Sequence, residues 1–187
     1  VSSYVDSFFC NTNLKNRISI CRSGNVIGSG DYSKNRLLPD VLLASKYDKQ
    51  LLLRNPNHVR PWQHVIEPLY GYLLLAEKLY NGTNNNKLIS WNFGPDKSSF
   101  IKVSKVIKIF EKITKNKLKV KFSNKKKYKE TEILKLNNSK SKKFLKWKPR
   151  WDVKETLKKT VELEMLIKQK NSNSLFEKQI VEYLNNI

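Results

Sequence analysis

Hydrophobic positions recur along this chain with two periods, and each change of period marks an element. Val1, Tyr4, Val5, Phe8 and Phe9 fall at helical spacing and predict the last turns of a helix over residues 1–12. The apolar, β-branched run Ile18 to Cys21 predicts a buried strand at 17–22. A loop follows over 23–36, then a short helix from Leu37 to Lys46 with Pro39 in its first turn. Gln50 to Arg54 reads as a strand, and Val59 to Val65 as an extended segment running into a helix from Ile66 to Tyr80. In that helix Leu69, Tyr72, Leu73, Ala76 and Leu79 share a 3.6-residue period, and Asn81-Gly82 ends it.

Leu88 to Trp91 predicts a further strand. Ser99 to Lys115 predicts a helix with Val103, Val106, Ile107, Phe110 and Ile113 inward. Leu118 to Phe122 alternates as a half-exposed strand does. Lys125 to Lys129 is a loop, and Ser139 to Leu145 a short helix. Asp152 with Glu155 three residues on resembles a capping box, opening a helix with Val153, Leu157, Val161 and Met165 on one face. Residues 174–185 form a last, weakly anchored helix. No internal repeat is present. Strands alternating with helices, and helices gathering at the end, predict an α/β fold. It consists of the later strands of a doubly wound sheet and a small α/β substrate-binding lobe.

With 187 residues the chain has room for one domain, or most of one with an appendage. No window nears the ~18 unbroken apolar residues of a membrane span. The first residues lack the basic and apolar regions of a signal peptide, and no initiator Met stands at position 1, which suits an incomplete chain. Cys10 and Cys21 make no metal-ligand pattern; they are expected to be semi-buried small hydrophobes in a reducing cytoplasm. The net charge of +21 opens a nucleic-acid reading. Against it, the cations are 31 Lys and 6 Arg, spread over every segment alongside 20 Asn. Such scatter fits a solvated surface better than a binding stripe.

The chemistry concentrates in Arg22-Ser-Gly-Asn-Val-Ile-Gly-Ser-Gly-Asp-Tyr-Ser-Lys-Asn-Arg-Leu-Leu-Pro-Asp40, directly after a strand. An α/β sheet binds its ligand just outside the carboxyl ends of its strands. Glycines allow close backbone approach there, and Asn and Arg direct hydrogen bonds, although the same residue types also build plain turns. Downstream stand Leu51-Leu-Leu-Arg-Asn-Pro56, Arg60-Pro-Trp-Gln-His-Val65, Trp91-Asn-Phe-Gly-Pro95 and Phe144-Leu-Lys-Trp-Lys-Pro149. Together these motifs resemble the extended short-chain dehydrogenase/reductases of the nucleotide-sugar epimerase/dehydratase family. Pro61, where relatives carry Asp, points to the CDP-glucose 4,6-dehydratase group. The likeness runs over about residues 1–170 and is strongest from 22 to 95. It departs at Lys146, which replaces a family glycine, and over 125–136, where His positions are lost; Asn137 stands for an Asp.

That resemblance implies a substrate and a set of roles. The substrate is CDP-glucose, converted to CDP-4-keto-6-deoxyglucose in deoxysugar biosynthesis. The reaction comprises oxidation at C4, loss of water across C5 and C6, and hydride return to C6, with NAD as carrier. Asn25 is expected at the phosphates, and Arg36 and Leu37 at the nucleotide. Arg54 is expected at the base or diphosphate, Arg60 at the diphosphate, Asn92 in the pocket wall and Ser23 at the nicotinamide. Arg60 has a structural alternative, an ion pair to a neighbour such as Glu67, and Asn92 could simply belong to a turn. His64 reads as a structural residue capping the next helix.

Residues 1–65 would be the end of a NAD-binding Rossmann domain with the substrate loop. Residues 66–187 would hold the remaining strands, the nucleotide-sugar lobe and the C-terminal helices. The family's glycine-rich turn and Tyr-x-x-x-Lys pair are not in the sequence. No residue here is therefore assigned a catalytic role and none a metal. The chain alone is expected to be inactive, and the intact enzyme to be a cytoplasmic homodimer with no nucleic-acid or membrane partner. Two further readings stay open, another nucleotide-sugar epimerase or dehydratase and a non-catalytic nucleotide-sugar-binding remnant.

Overall fold

The computed structural model describes residues 1–9, 11–12, 17–82, 89–123, 130–167 and 172–185. Helix α1 (Ser2–Phe8) precedes β1 (Ser19–Ser23) and β2 (Asn25–Ile27). Then come α2 (Leu37–Tyr47), β3 (Leu51–Leu53), β4 (Val59–His64), α3 (Ile66–Tyr80) and β5 (Ile89–Phe93). A 3-10 turn at Lys97–Ser99 leads to β6 (Phe100–Lys102), α4 (Val103–Thr114), β7 (Val120–Phe122), α5 (Ser139–Leu145), α6 (Val153–Leu166) and α7 (Ser172–Asn185). The lysine-rich loop at 125–129, Cys10 and the expected strand start at Leu88 lie outside the described residues.

The strands form three small groups. β1 pairs in parallel with β5, Ser19 opposite Ile89 and Ser23 opposite Phe93. β4 is the centre of the second group, with β2 parallel on one edge and β6 antiparallel on the other. β3 pairs in parallel with β7. This is the expected α/β pattern of mainly parallel strands and covering helices. The expected loop at 23–36 in fact contains β2, because Asn25–Ile27 finds backbone partners along Trp62–His64 of β4. β1 is less buried than expected, and Cys21 and Arg22 are exposed. Among the described residues only β5 flanks it.

Two hydrophobic cores result. The larger joins α2, α4 and α6 to the strands through Leu38, Val41, Trp62, Ile107, Phe110 and Leu157. The smaller gathers Leu75, Trp91, Phe93, Leu145 and Trp147 between α3, β5 and α5. Helix α4 buries the face read from its period, but it begins at Val103 rather than Ser99. The preceding backbone is claimed by β4, and the indole of Trp62 donates to the Ile101 carbonyl at 3.1 Å. The carbonyls of His58 and Pro56 then accept from the first amides of the helix, at 3.0 and 2.9 Å.

In α3 the residues read on one period divide, and Tyr72 and Leu79 pack against the smaller core. Leu69, Leu73 and Ala76 are exposed, Leu73 at 69%, while Glu67, Pro68, Gly71 and Leu75 are buried. This helix is apolar on two sides, and the absent side chain of Gly71 decides between them. A Cβ there would lie 2.2 Å from the Phe93 ring, so glycine is what lets the helix backbone reach β5. Met165 is likewise exposed, because the last turn of α6 runs past the core. Helix α6 opens as expected, with the Asp152 carboxylate accepting from the Glu155 amide at 2.8 Å. Helix α7 is better anchored than expected: Tyr183 is fully buried and its hydroxyl donates to Glu67 at 2.7 Å. In α1, Val5 is buried while Tyr4 and Phe8 are exposed, their rings 4.6 Å apart.

Lys146 closes α5 in the left-handed region at φ 55°. That conformation costs an L-residue roughly 1–2 kcal/mol, whereas glycine adopts it freely but loses about 0.5–1 kcal/mol more chain entropy on folding. Lys146→Gly is therefore expected to stabilise the chain by about 0.5–1 kcal/mol, read as a higher urea midpoint at unchanged slope.

Candidate functional site

A cleft of about 660 Å³ opens at the carboxyl ends of β1, β3 and the neighbouring elements of the β4 group. Gly24 makes its floor possible. A Cβ at that position would sit 2.5 Å from the Pro61 carbonyl oxygen, so only glycine lets the chain pass from β1 into β2 beside β4. The N-terminus of α2 supplies Arg36 and Leu37 to the cleft, the end of β3 supplies Arg54, and β4 supplies Arg60. Ser23 and Asn25, at the end of β1 and the start of β2, complete six of the seven residues expected from the sequence to bind ligand or cofactor. The seventh, Asn92, is not among the residues lining the cleft. It sits on β5 opposite Arg22, and its amide donates to the Asn137 carbonyl at 3.1 Å.

Arg60 is held by its own strand and by the segment after residue 129. One guanidinium nitrogen, Nη1, donates to the carbonyls of Val59 at 3.0 Å and Glu132 at 3.2 Å. The other, Nη2, lies 2.9 Å from His58 Nδ1 and donates to Glu130 at 3.2 Å. Asn55 also donates to that carboxylate, at 3.4 Å. The ion-pair partner of Arg60 is thus Glu130, not Glu67, which lies in the interior among other donors. Only Nη2 meets the Glu130 carboxylate, a single charge-assisted bond of the kind an Arg also makes to a phosphate oxygen. His58, Asn55 and Glu130 escaped the sequence reading.

Loop 28–35 is fastened at its tip. Glu164 of α6 accepts from the Gly30 amide at 3.2 Å and from the Tyr32 hydroxyl at 3.0 Å. Gly30 and Asn35 take positive φ, 80° and 62°, which lets the loop double back toward α2. Asp31 accepts from the Ser33 amide at 2.9 Å, and hydrogen bonding from the Ser33 side chain and backbone holds its carboxyl below its ordinary range. Asp40, the last residue of the Arg22–Asp40 motif, also lines the cleft. Burial pushes its carboxyl up, against the nearby Arg54 charge.

His64 caps α3 as expected, its Nδ1 accepting from the Ile66 amide at 3.3 Å. Its ring packs edge-on against Trp151 at 4.9 Å. The segment around Asn137 is structural as well, because Asn137 Oδ1 accepts from the Ser139 amide at the start of α5. Lys140 donates to the Ser90 carbonyl at 3.0 Å and lies over the Trp91 ring. Among the described residues no group of three or more His, Cys, Asp or Glu could hold a metal. Among the described residues no helix is long and apolar enough to cross a membrane.

Comparison with known proteins follows the same lines. The chain is 37% identical over 164 residues to CDP-glucose 4,6-dehydratase of Salmonella typhimurium, an alignment covering 86% of this chain and 45% of that protein. This chain is similar to CDP-glucose 4,6-dehydratase. It spans about half the length of that curated relative. No family model matches it. Among solved structures, UDP-glucuronic acid 4-epimerase from Bacillus cereus, in complex with UDP-glucuronic acid and NAD, superposes with a TM-score of 0.74 at 16% identity. That superposition covers 89% of this chain and 49% of the other. dTDP-glucose 4,6-dehydratase from Bacillus anthracis, with NAD, gives 0.70 at 17% identity, over 92% and 50%. The chain therefore shares the Rossmann-like α/β fold of these two structures over about half of their length. The likeness to CDP-glucose 4,6-dehydratase matches the group to which Pro61 pointed.

His64 gives the fold a defined acid sensitivity. Burial, reinforced by the Lys159 charge, lowers its pKa from 6.5 to about 4. The unfolded chain therefore takes up a proton that the folded chain refuses. Stability from this residue is complete above pH 6.5 and is lost as pH falls toward 4, by a total of about 3 kcal/mol. Urea midpoints measured from pH 7 to pH 4 are expected to fall more steeply for the natural chain than for His64→Gln.

Proposed function

We propose that this chain is the sugar-nucleotide-binding part of a CDP-glucose 4,6-dehydratase, a lyase that converts CDP-glucose to CDP-4-keto-6-deoxyglucose with loss of water. The observation that carries this reading is convergence. Six residues singled out from separate motifs, scattered from Ser23 to Arg60, line one cleft at the strand ends. Arg36, Arg54 and Arg60 bring three guanidinium groups to it, a charge suited to a diphosphate. In this reading the diphosphate takes the place of the Glu130 carboxylate on the Arg60 fork, exchanging one anion for another. Asn25 donates to the phosphate oxygens, and Leu37 covers the nucleoside.

NAD, when bound, supplies the hydride acceptor and donor of the reaction. Ser23, at the end of β1, is where this chain would face it. The glycine-rich turn and the Tyr-x-x-x-Lys pair are not among these residues, so no hydride or proton step is assigned to them. The intact enzyme works as a cytoplasmic homodimer, without nucleic acid or membrane. A non-catalytic nucleotide-sugar-binding remnant is the second reading. It is favoured by the loss of the family's Asp and His positions near 130–137, where Asn137 stands for the Asp.

Two outcomes test the proposal. Arg60→Ala is expected to weaken CDP-glucose binding by roughly 1.5–3 kcal/mol, the worth of hydrogen bonds to a charged group, with smaller losses for Arg36→Ala and Arg54→Ala. Calorimetry showing normal binding of CDP and CDP-glucose by all three variants would remove the cleft from consideration. The 187 residues by themselves are expected to turn over no CDP-glucose when NAD is added. Formation of the 4-keto product by this chain alone would show that the acid–base and redox groups lie within it.

A further inference from the structure

We infer that Asp40 selects the base of the bound nucleotide, its carboxylate accepting a hydrogen bond from the exocyclic amine of a cytosine. The inference rests on the cleft being a sugar-nucleotide site and adds which nucleotide it prefers. Three carboxylates line the cleft: Asp31, Asp40 and Glu130. Two are already occupied. Asp31 accepts from the Ser33 amide, and Glu130 accepts from Arg60 and Asn55. Asp40 is half-buried in the first turn of α2, and no hydrogen bond or ion pair from the described residues reaches its carboxylate. Arg54 acts on it only as a nearby charge.

A partly desolvated carboxylate in a cleft built for an anion works against binding unless the ligand offers it a donor. A nucleoside diphosphate sugar has donors in three places: the hexose hydroxyls, the ribose hydroxyls and the base. The surroundings of Asp40 favour the base. Leu37 and Pro39 flank it on α2, and Leu53 faces the cleft from β3, which α2 packs against. An apolar wall of this kind suits a flat ring better than a sugar. On a pyrimidine ring, cytosine presents an amine where uracil and thymine present a carbonyl oxygen. A carboxylate accepts from the first and is left facing another acceptor by the second. The discrimination expected from such a pairing is roughly 10- to 100-fold.

The test titrates CDP, UDP and N4,N4-dimethyl-CDP into the full chain by calorimetry, and repeats CDP and UDP with Asp40→Asn. CDP is expected to bind at least about tenfold more tightly than either of the other two. Asp40→Asn, whose amide can donate to a carbonyl as readily as accept from an amine, is expected to bring CDP and UDP within about threefold of each other. Equal binding of the three ligands by the natural chain would overturn the assignment. So would an Asp40→Asn loss that is the same for CDP and UDP, which would place the carboxylate on the ribose. Binding of neither CDP nor UDP would sink the sugar-nucleotide reading itself and this inference with it. If Asp40→Asn does not fold by circular dichroism, Asp40→Ser takes its place, and a folded Asp40→Ser chain that kept the natural preference for CDP over UDP would overturn the assignment.

Discussion

The carboxylate of Glu67 is the point on which the two halves of this structure turn. It is fully buried, on the first turn of α3, and three donors converge on it. The backbone amides of Arg150 and Trp151 reach one oxygen at 2.8 and 2.7 Å, and the Tyr183 hydroxyl reaches the other at 2.7 Å. Burial alone raises its carboxyl, and these donors pull the other way. An acceptor buried without them would cost several kcal/mol, so helix α3, the segment before α6 and helix α7 are obliged to meet at this atom group. The Glu67 carbonyl adds a fourth tie, accepting from the Trp147 indole at 3.0 Å. Arg150 closes the assembly, its guanidinium donating to the Tyr183 carbonyl and lying over the rings of Tyr70 and Tyr183.

The cleft inherits its geometry from this junction. Glu67 lies three positions after the end of β4, so fixing it fixes the end of the strand that carries Arg60 and Trp62. Gln63 is buried within β4 and donates to the Phe93 carbonyl at 2.8 Å, tying the central strand to β5. Helix α6, placed by Trp151 and Asp152, then presents Glu164 to the tip of loop 28–35. The ligand-facing residues are exposed or half-exposed, and the strand that carries Arg60 is fixed by deeper contacts, while Glu130 and Glu164 hold Arg60 and the loop at the surface.

What the sequence revealed and what it hid follow from the range of the interaction concerned. Elements set by local period and capping were legible, such as α3 with its Asn81-Gly82 stop, α5, and α6 with Asp152. The strand-end location of the cleft was legible because strand, glycine and Arg occur in succession at Cys21 to Gly28. Features set by distant partners were not. The buried side of α3 depends on Gly71 meeting Phe93, and a size-weighted period passes over a glycine. The anchoring of α7 depends on Tyr183 meeting a residue 116 positions earlier. Arg60 and Glu130 are 70 positions apart, so the identity of its partner could not be read from either neighbourhood.

The division of the interior into two apolar cores has a consequence for how this molecule breathes. The cluster around Trp91, Phe93 and Trp147 is distinct from the one around Trp62, Phe110 and Leu157, and polar groups, chiefly Glu67 and Gln63, bridge the space between them. Apolar contacts yield gradually, but a buried polar bridge is lost as a unit once one donor departs. Amide hydrogen exchange should therefore resolve two protected groups of differing opening free energy, one in β1, β5 and α5 and one in β4, α4 and α6. The cleft straddles the two groups, since Ser23 ends β1 while Arg60 lies on β4, so its shape depends on the polar bridge between them staying closed.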